Sequence, residues 1–255
     1  MEWDTKKNGD PCKSRRVYGV HSVQEYLRTL PHTVEEVYLL ASLKGNPTDQ
    51  LARRETIPVR YESRSFFDTF SQGGVHQGVA ARLCPFAYIP LPALLSRETN
   101  LLLVLDGILD PRNLGALLRT AEAVGAGGVI LPRRRSASLS PLVEKVAAGA
   151  TASVPLCQVG NLARSLDAIR ESGYWIVGLS PDATQSLYDL RLSSKVALLL
   201  GGEGEGLRYL TRQKCDTLIA IPMHGKIKSL NVAVAGAVTL YELLRRKVYG
   251  EEKNH

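Results

Sequence analysis

From residue 101 onward, short apolar runs alternate with stretches of helical period. The runs are LLLVLDGI (101–108), GGVILP (127–132), ASVPLCQV (152–159), YWIVGLS (174–180), VALLLGG (196–202) and TLIAIPM (217–223). Strands buried on both faces read as continuous apolar segments, as LLLVL and VALLL do. Strands separated by helical stretches predict a parallel sheet with helices on both faces, a doubly wound α/β architecture. Between the first two runs, Leu114, Leu117, Leu118 and Ala121 recur at i, i+3, i+4 and i+7, the core-facing stripe of an amphipathic helix.

Residues 17–83 read as a separate, small α/β unit. A helix over 22–30 precedes strand VEEVYLLA, a polar helix over 48–55, strand IPVRY, a short helix over 65–70 and strand QGVAARL. Residues 84–100 hold three prolines and read as an interdomain connection with a short helix. Residues 1–16 are polar and charged, and are expected to form a disordered basic tail. Internal repeats and low-complexity segments are absent from the sequence.

Composition narrows the class. The 255 residues are 44% hydrophobic, enough for a core in one or two domains, and the formal net charge of +7 favours an anionic partner such as RNA. Cys12, Cys84, Cys157 and Cys215 are far apart and form no C-x-x-C pair, so neither a zinc site nor a disulfide framework is expected. The five histidines are widely spaced, and no metal is expected. The chain shows no apolar signal region and no run near the ~18 apolar residues of a membrane span, so a cytoplasmic location is the simplest expectation.

The densest chemistry lies in residues 198–231, LLLGGEGEGLRYLTRQKCDTLIAIPMHGKIKSLN. A strand runs into a loop of glycines with Glu203 and Glu205. Glycines after a strand mark a close backbone approach, and two acidic residues argue against a phosphate cradle. A second strand over 218–222, a Gly/Lys loop and a helix opening at Ser229 follow. Ser229 can be that helix's N-cap, and Asn113 the N-cap of the earlier one. Arg119 is either half of an ion pair with Glu122 or a functional cation. The helix VAVAGAVTLYELL is apolar almost all round and must be covered on several sides, by core or by a second subunit. Arg133, Arg134 and Arg135 follow a parallel strand at the edge where such sheets place ligands.

Three segments together resemble the SpoU/TrmH branch of the SPOUT methyltransferases: DPRNLGALLRTAEAVGAGGVIL (110–131), LLLGGEGEGL (198–207) and IPMHGKIKSLNVAVAGAVTLYELL (221–244). Two more, VYGVHSVQEYLR (17–28) and GGVHQGVAAR (73–82), are similar to the ribosomal RNA guanosine 2'-O-methyltransferases of that branch. The resemblance covers nearly all of residues 17–247. It implies a knotted methyltransferase domain over 101–248, its parallel sheet ending in a deep C-terminal trefoil knot. A small α/β substrate-binding domain over 17–83 precedes it, with 84–100 as the linker.

By the same resemblance, Arg119 is catalytic, and Asn113, Glu203, Ser229 and Asn231 build the reaction centre. The backbone of Gly201, Ile221 and Leu230 contacts S-adenosylmethionine, with Gly202 and Met223 in the same pocket. Arg112, Arg133, Arg134, Arg135, Lys226, Lys228, His76 and Gln77 are expected to contact RNA. The partners implied are ribosomal RNA and a second copy of the chain, as a homodimer. The reaction implied is methyl transfer from S-adenosylmethionine to a ribose 2'-hydroxyl, with either an RNA phosphate or a perturbed Arg119 taking the proton. A transfer RNA 2'-O-methyltransferase and a noncatalytic RNA-binding protein on the same fold are the rival readings. A nucleotide-dependent oxidoreductase is disfavoured by the missing dinucleotide fingerprint.

Overall fold

The structure, a computed structural model, describes residues 15–191 and 193–249. It divides into two compact units, one ending at Ala87 and the other beginning at Tyr88.

The first unit contains β1 (Arg15–Tyr18), α1 (Val20–Thr29), β2 (Val34–Leu40), α2 (Pro47–Arg54), β3 (Val59–Glu62), α3 (Arg64–Phe70) and β4 (Val79–Leu83). Its sheet has the order β1-β4-β2-β3, with only the β2–β3 pair parallel. Tyr18, Tyr38, Ala80 and Phe67 form one buried cluster, against which Phe66 and Phe70 pack. The strand β1 has no counterpart in the sequence pattern: it takes Arg15 and Arg16, assigned there to the tail, and pairs them with Leu83 and Arg82. The rest of that expected tail, residues 1–14, lies outside the described residues.

The second unit opens with α4 (Leu91–Leu95), then β5 (Leu101–Asp106), α5 (Pro111–Ala123), β6 (Gly128–Pro132), α6 (Pro141–Ala147), α7 (Ala150–Ser153), β7 (Leu156–Val159), α8 (Leu162–Glu171) and β8 (Trp175–Leu179). It continues through β9 (Gln185–Ser186), β10 (Val196–Gly201), α9 (Tyr209–Gln213), β11 (Thr217–Ala220) and α10 (Val232–Tyr249). The seven strands lie in the order β7-β6-β5-β10-β8-β11-β9, and every pairing is parallel. Leu102, Val104, Ile130, Ala197, Leu199 and Ile176 pack one sheet face against Leu162, Leu166 and Ile169 of α8. The segment expected as a linker already packs into this unit: Leu94 is fully buried, and Ile89 N–H donates to Leu156 O at 2.9 Å.

Two strand boundaries differ from the apolar pattern, each beside a proline. Ala152 and Ser153 belong to α7, and β7 starts only after Val154–Pro155; the residue before a proline is steered away from helix. The strand β11 stops at Ala220, before Pro222, which has no N–H to give a ladder. Residues 221–231 therefore form an irregular segment, half-exposed at Ile221 and exposed from Pro222 to Asn231. Among the described residues, no helix is long and apolar enough to cross a membrane.

Candidate active site

The site lies where two central, adjacent strands end. Gly201 of β10 sits beside Asp106 of β5, so the loops leaving both strands emerge together at the carboxyl edge of the sheet. The loop after β5 enters α5 through Asp110, which is the N-cap in place of Asn113: its Oδ1 accepts from Arg112 N–H at 2.8 Å, with Pro111 at the first helical position. Asn113 is instead 7% exposed inside the first turn. The cap of the last helix also differs from the expected one, lying two residues later. Asn231 Oδ1 accepts from Ala233 N–H at 2.9 Å and Val234 N–H at 3.3 Å, so Asn231 takes the role read for Ser229.

Freed from capping, Asn113 meets the glycine-loop acid. Its Nδ2 donates to Glu203 Oε1. Asn231 Nδ2 donates to Asn113 Oδ1 at 3.1 Å and to the same Glu203 oxygen at 3.2 Å. One residue from each of three distant segments thus converges on one carboxylate. Two amides hold Glu203 Oε1, and the carboxyl group can take a further hydroxyl or cationic donor from a ligand. Glu203 and Asn113 line a cleft of about 110 Å³ with Gly107, Ile108, Leu109, Asp110 and Val232. Sites for drug-sized ligands run to roughly 300–1,000 Å³, so this cleft suits a sugar-sized group.

The glycines here are filled by the protein itself. A Cβ on Gly201 would lie 2.1 Å from the Gly206 carbonyl carbon, and one on Gly202 would lie 2.3 Å from Gly107 O. The loop closes on itself through Gly206 N–H to Gly202 O at 3.0 Å.

The remaining expected site residues fall into three groups. Arg119 and Glu122 are both exposed and form no ion pair, and Arg119 makes no hydrogen bond to any described residue. Among the described residues, neither Arg119 nor the exposed Ser229 is hydrogen-bonded to Asn113, Glu203 or Asn231. Met223 and Leu230 are 38% and 37% exposed, and Lys226 and Lys228 are exposed on the same segment. No backbone hydrogen bond among the described residues involves 221–230. Arg112 and Arg133–135 are exposed. The loop carrying those three arginines is pinned beside the cleft, since Ala137 N–H donates to Ile108 O at 2.8 Å.

In the small unit, His76 and Gln77 have local partners. The His76 ring stacks on Phe67, its Nδ1 accepts from Gly78 N–H at 3.0 Å and its Nε2 lies 3.2 Å from Asp68. Gln77 Oε1 accepts from Val20 N–H at 3.2 Å. Both residues hold their loop. Burial pushes the Cys157 thiol up to about 11 and the Cys215 thiol up to about 12, so neither is a ready thiolate nucleophile. Among the described residues, no three His, Cys, Asp or Glu side chains cluster as a metal site would require.

Sequence reasoning missed Asp106. It is 1% exposed at the end of β5 and carries long-range bonds to the glycine loop and to α9. A charged residue closing an otherwise apolar strand was the available signal.

A parallel α/β sheet with its polar constellation at the carboxyl edge, preceded in the chain by a small α/β unit, is the architecture of a two-domain enzyme with a substrate-recognition module. The chain belongs to the SpoU rRNA methylase family, whose model matches residues 100–241; a model for RNA 2'-O ribose methyltransferase substrate binding matches residues 16–89. It is 42% identical over 241 residues to the 23S rRNA (guanosine-2'-O-)-methyltransferase RlmB of Escherichia coli K12, covering 92% of this chain and 99% of the relative. Against RlmB of Yersinia pestis the identity is 45%, covering 92% and 98%. The fold is also that of the SpoU methyltransferase AviRb from Streptomyces viridochromogenes, crystallised with AdoMet, at a TM-score of 0.79 and 23% identity over 92% of this chain and 91% of that one.

Proposed function

We propose that this chain transfers a methyl group from S-adenosylmethionine to the 2'-hydroxyl of a guanosine in 23S ribosomal RNA. The observation that carries this is the convergence of Asn113, Glu203 and Asn231 at the edge of β5 and β10. Family membership and the substrate named for the two RlmB relatives supply the reaction class.

The residues present fit the cofactor. The 221–230 segment offers exposed apolar side chains and main-chain groups with no backbone partner among the described residues. Apolar walls with a few backbone groups are the usual means of holding an adenine. Ile221, Met223 and Leu230 would hold it, with Gly201 and Gly202 closing the other side. When bound, S-adenosylmethionine supplies a methyl group activated on a sulfonium.

The chain's own residues orient and stabilise. Asn113 and Asn231 fix Glu203, which accepts a hydrogen bond from the ribose and holds the sugar in line. Arg119 carries a positive charge to the developing alkoxide. A guanidinium keeps its proton in proteins, so the hydroxyl proton passes to an RNA phosphate rather than to Arg119. Arg112, Arg133–135, Lys226 and Lys228 hold neighbouring phosphates, and the small unit recognises the RNA.

The full reading includes the knot and a homodimer. In the sheet, β10 lies between β5 and β8, and β11 between β8 and β9; the knot itself rests on family membership. Val234 and Tyr241 of α10 are 50% and 53% exposed, which leaves an apolar stripe for a second copy to cover.

Calorimetry should detect S-adenosylmethionine binding with no added metal, and ribose-methylation mapping should show one 23S guanosine modified only when the protein is present. Folded protein that binds no cofactor, or an unchanged methylation map, would overturn the proposal.

A further inference from the structure

Asp106 is an ionisable group that the reaction scheme leaves unused. Its side chain is fully buried, and burying a carboxylate is costly unless it is well partnered. Its partners all lie across the site. The main-chain oxygen of Asp106 accepts from Gly202 N–H at 2.9 Å. Its Oδ2 accepts from Arg208 N–H at 3.1 Å and from Thr211 Oγ1 at 2.5 Å. Its Oδ1 has no hydrogen bond and faces the Arg208 guanidinium at 3.5 Å. That guanidinium covers Gly107, so the cation, the carboxylate and the first residue of the cleft loop are stacked together.

One residue therefore grips both ends of the loop bearing Glu203, at Gly202 with its carbonyl and at Arg208 with its carboxylate. The chain leaving Asp106 is also the loop 107–110 that lines the cleft and leads to Asn113. We infer that Asp106 is a positioning residue for methyl transfer: with Thr211 and Arg208, it sets Glu203 relative to Asn113. This rests on the proposed function. The Asp106 clasp holds the two ends of the loop, and the two amides hold the carboxylate at its middle. A displacement of about 1 Å at such a group can lower a rate on the order of a hundredfold.

The test starts from wild-type turnover on 23S RNA, so loss of the proposed function itself would be seen there. Asp106→Asn keeps one acceptor oxygen but turns an amide N–H toward the Arg208 guanidinium. It should lower kcat on the order of ten- to a hundredfold with little change in KM for RNA. Thr211→Val removes the hydroxyl that reaches both Asp106 Oδ2 and, at 2.9 Å, Arg208 O, and leaves the carboxylate; it should lower kcat about two- to tenfold. Hydrogen exchange at residues 202–208 should accelerate in both variants. The deciding readout is a double-mutant cycle with Glu203→Gln. If Asp106 acts through Glu203, adding Asp106→Asn or Thr211→Val to Glu203→Gln costs less than twofold more. A fully additive loss, or wild-type kcat in Thr211→Val, would overturn the inference. Should Asp106→Asn fail to fold, the Thr211→Val cycle decides alone.

Discussion

Asn231 does two jobs with two ends of one amide, so substitutions can separate them. Its Oδ1 caps α10 at Ala233 and Val234, while its Nδ2 bridges Asn113 and Glu203. Asn231→Asp keeps the capping oxygen, since Asp and Asn cap about equally well, and adds a favourable charge at the helix N-terminus. It also puts an anionic acceptor where the structure needs a donor, 3.2 Å from Glu203 Oε1 and 3.1 Å from Asn113 Oδ1. Two hydrogen bonds of about 1 kcal/mol each are lost, and two carboxylates that close cannot both ionise freely. Asn231→Ala loses the cap as well, at about 1 kcal/mol, or ~2–4 °C in Tm for a domain of this size. Single-turnover methyl transfer to 23S RNA should fall ~10²–10³-fold in both variants. Thermal unfolding should show the smaller loss for Asn231→Asp. The rate of Asn231→Asp should rise as pH falls, because protonating one of the paired carboxyls restores a donor. Wild-type turnover by Asn231→Asp at neutral pH would refute the bridging role.

Three further outcomes follow from the same geometry. Arg119→Lys should stay folded, within about 0.5 kcal/mol of wild type, because the exposed guanidinium has no partner among the described residues to lose; methyl transfer should drop ~10²–10³-fold, and a near-wild-type rate removes Arg119 from the catalytic set. Replacing Arg133, Arg134 and Arg135 together by Gln should weaken RNA binding and flatten its salt dependence by up to roughly three counterions; an unchanged slope of log affinity against log salt would place the phosphates elsewhere. Light scattering should report about twice the 27.9 kDa chain mass, and Tyr241→Glu, on the exposed stripe of α10, should lower it toward one chain; a wild-type monomer at micromolar concentration rejects the homodimer.

What the sequence disclosed, and what it hid, follows the range of the interactions involved. The strands β5 and β10 are buried on both faces, so unbroken apolar runs mark them well. The strand β1 is a pair of arginines beside two apolar residues, and β9 is two residues long; neither carries a period to detect. Asn113 and Asn231, singled out in the sequence, do meet in the structure, but the caps were misplaced, because Asp110, Asn113, Ser229 and Asn231 are all good caps and only the backbone path decides among them. A charge closing an apolar strand marks Asp106, but its role was hidden because its partners are 102 and 105 residues away. Glycine is legible as close approach, yet it does not name what approaches. At Gly201 and Gly202 the approaching groups are Gly206 and Gly107, so the Glu203 loop is braced by its own chain. The segment 221–230 has no such brace: among the described residues its backbone makes no backbone hydrogen bond, and its side chains are exposed from Pro222 onward. The acid end of the site is therefore preformed, and the side built from Ile221, Met223 and Leu230 is the one for a ligand to order. Ligand binding should accordingly slow hydrogen exchange in 221–231 far more than in 201–207.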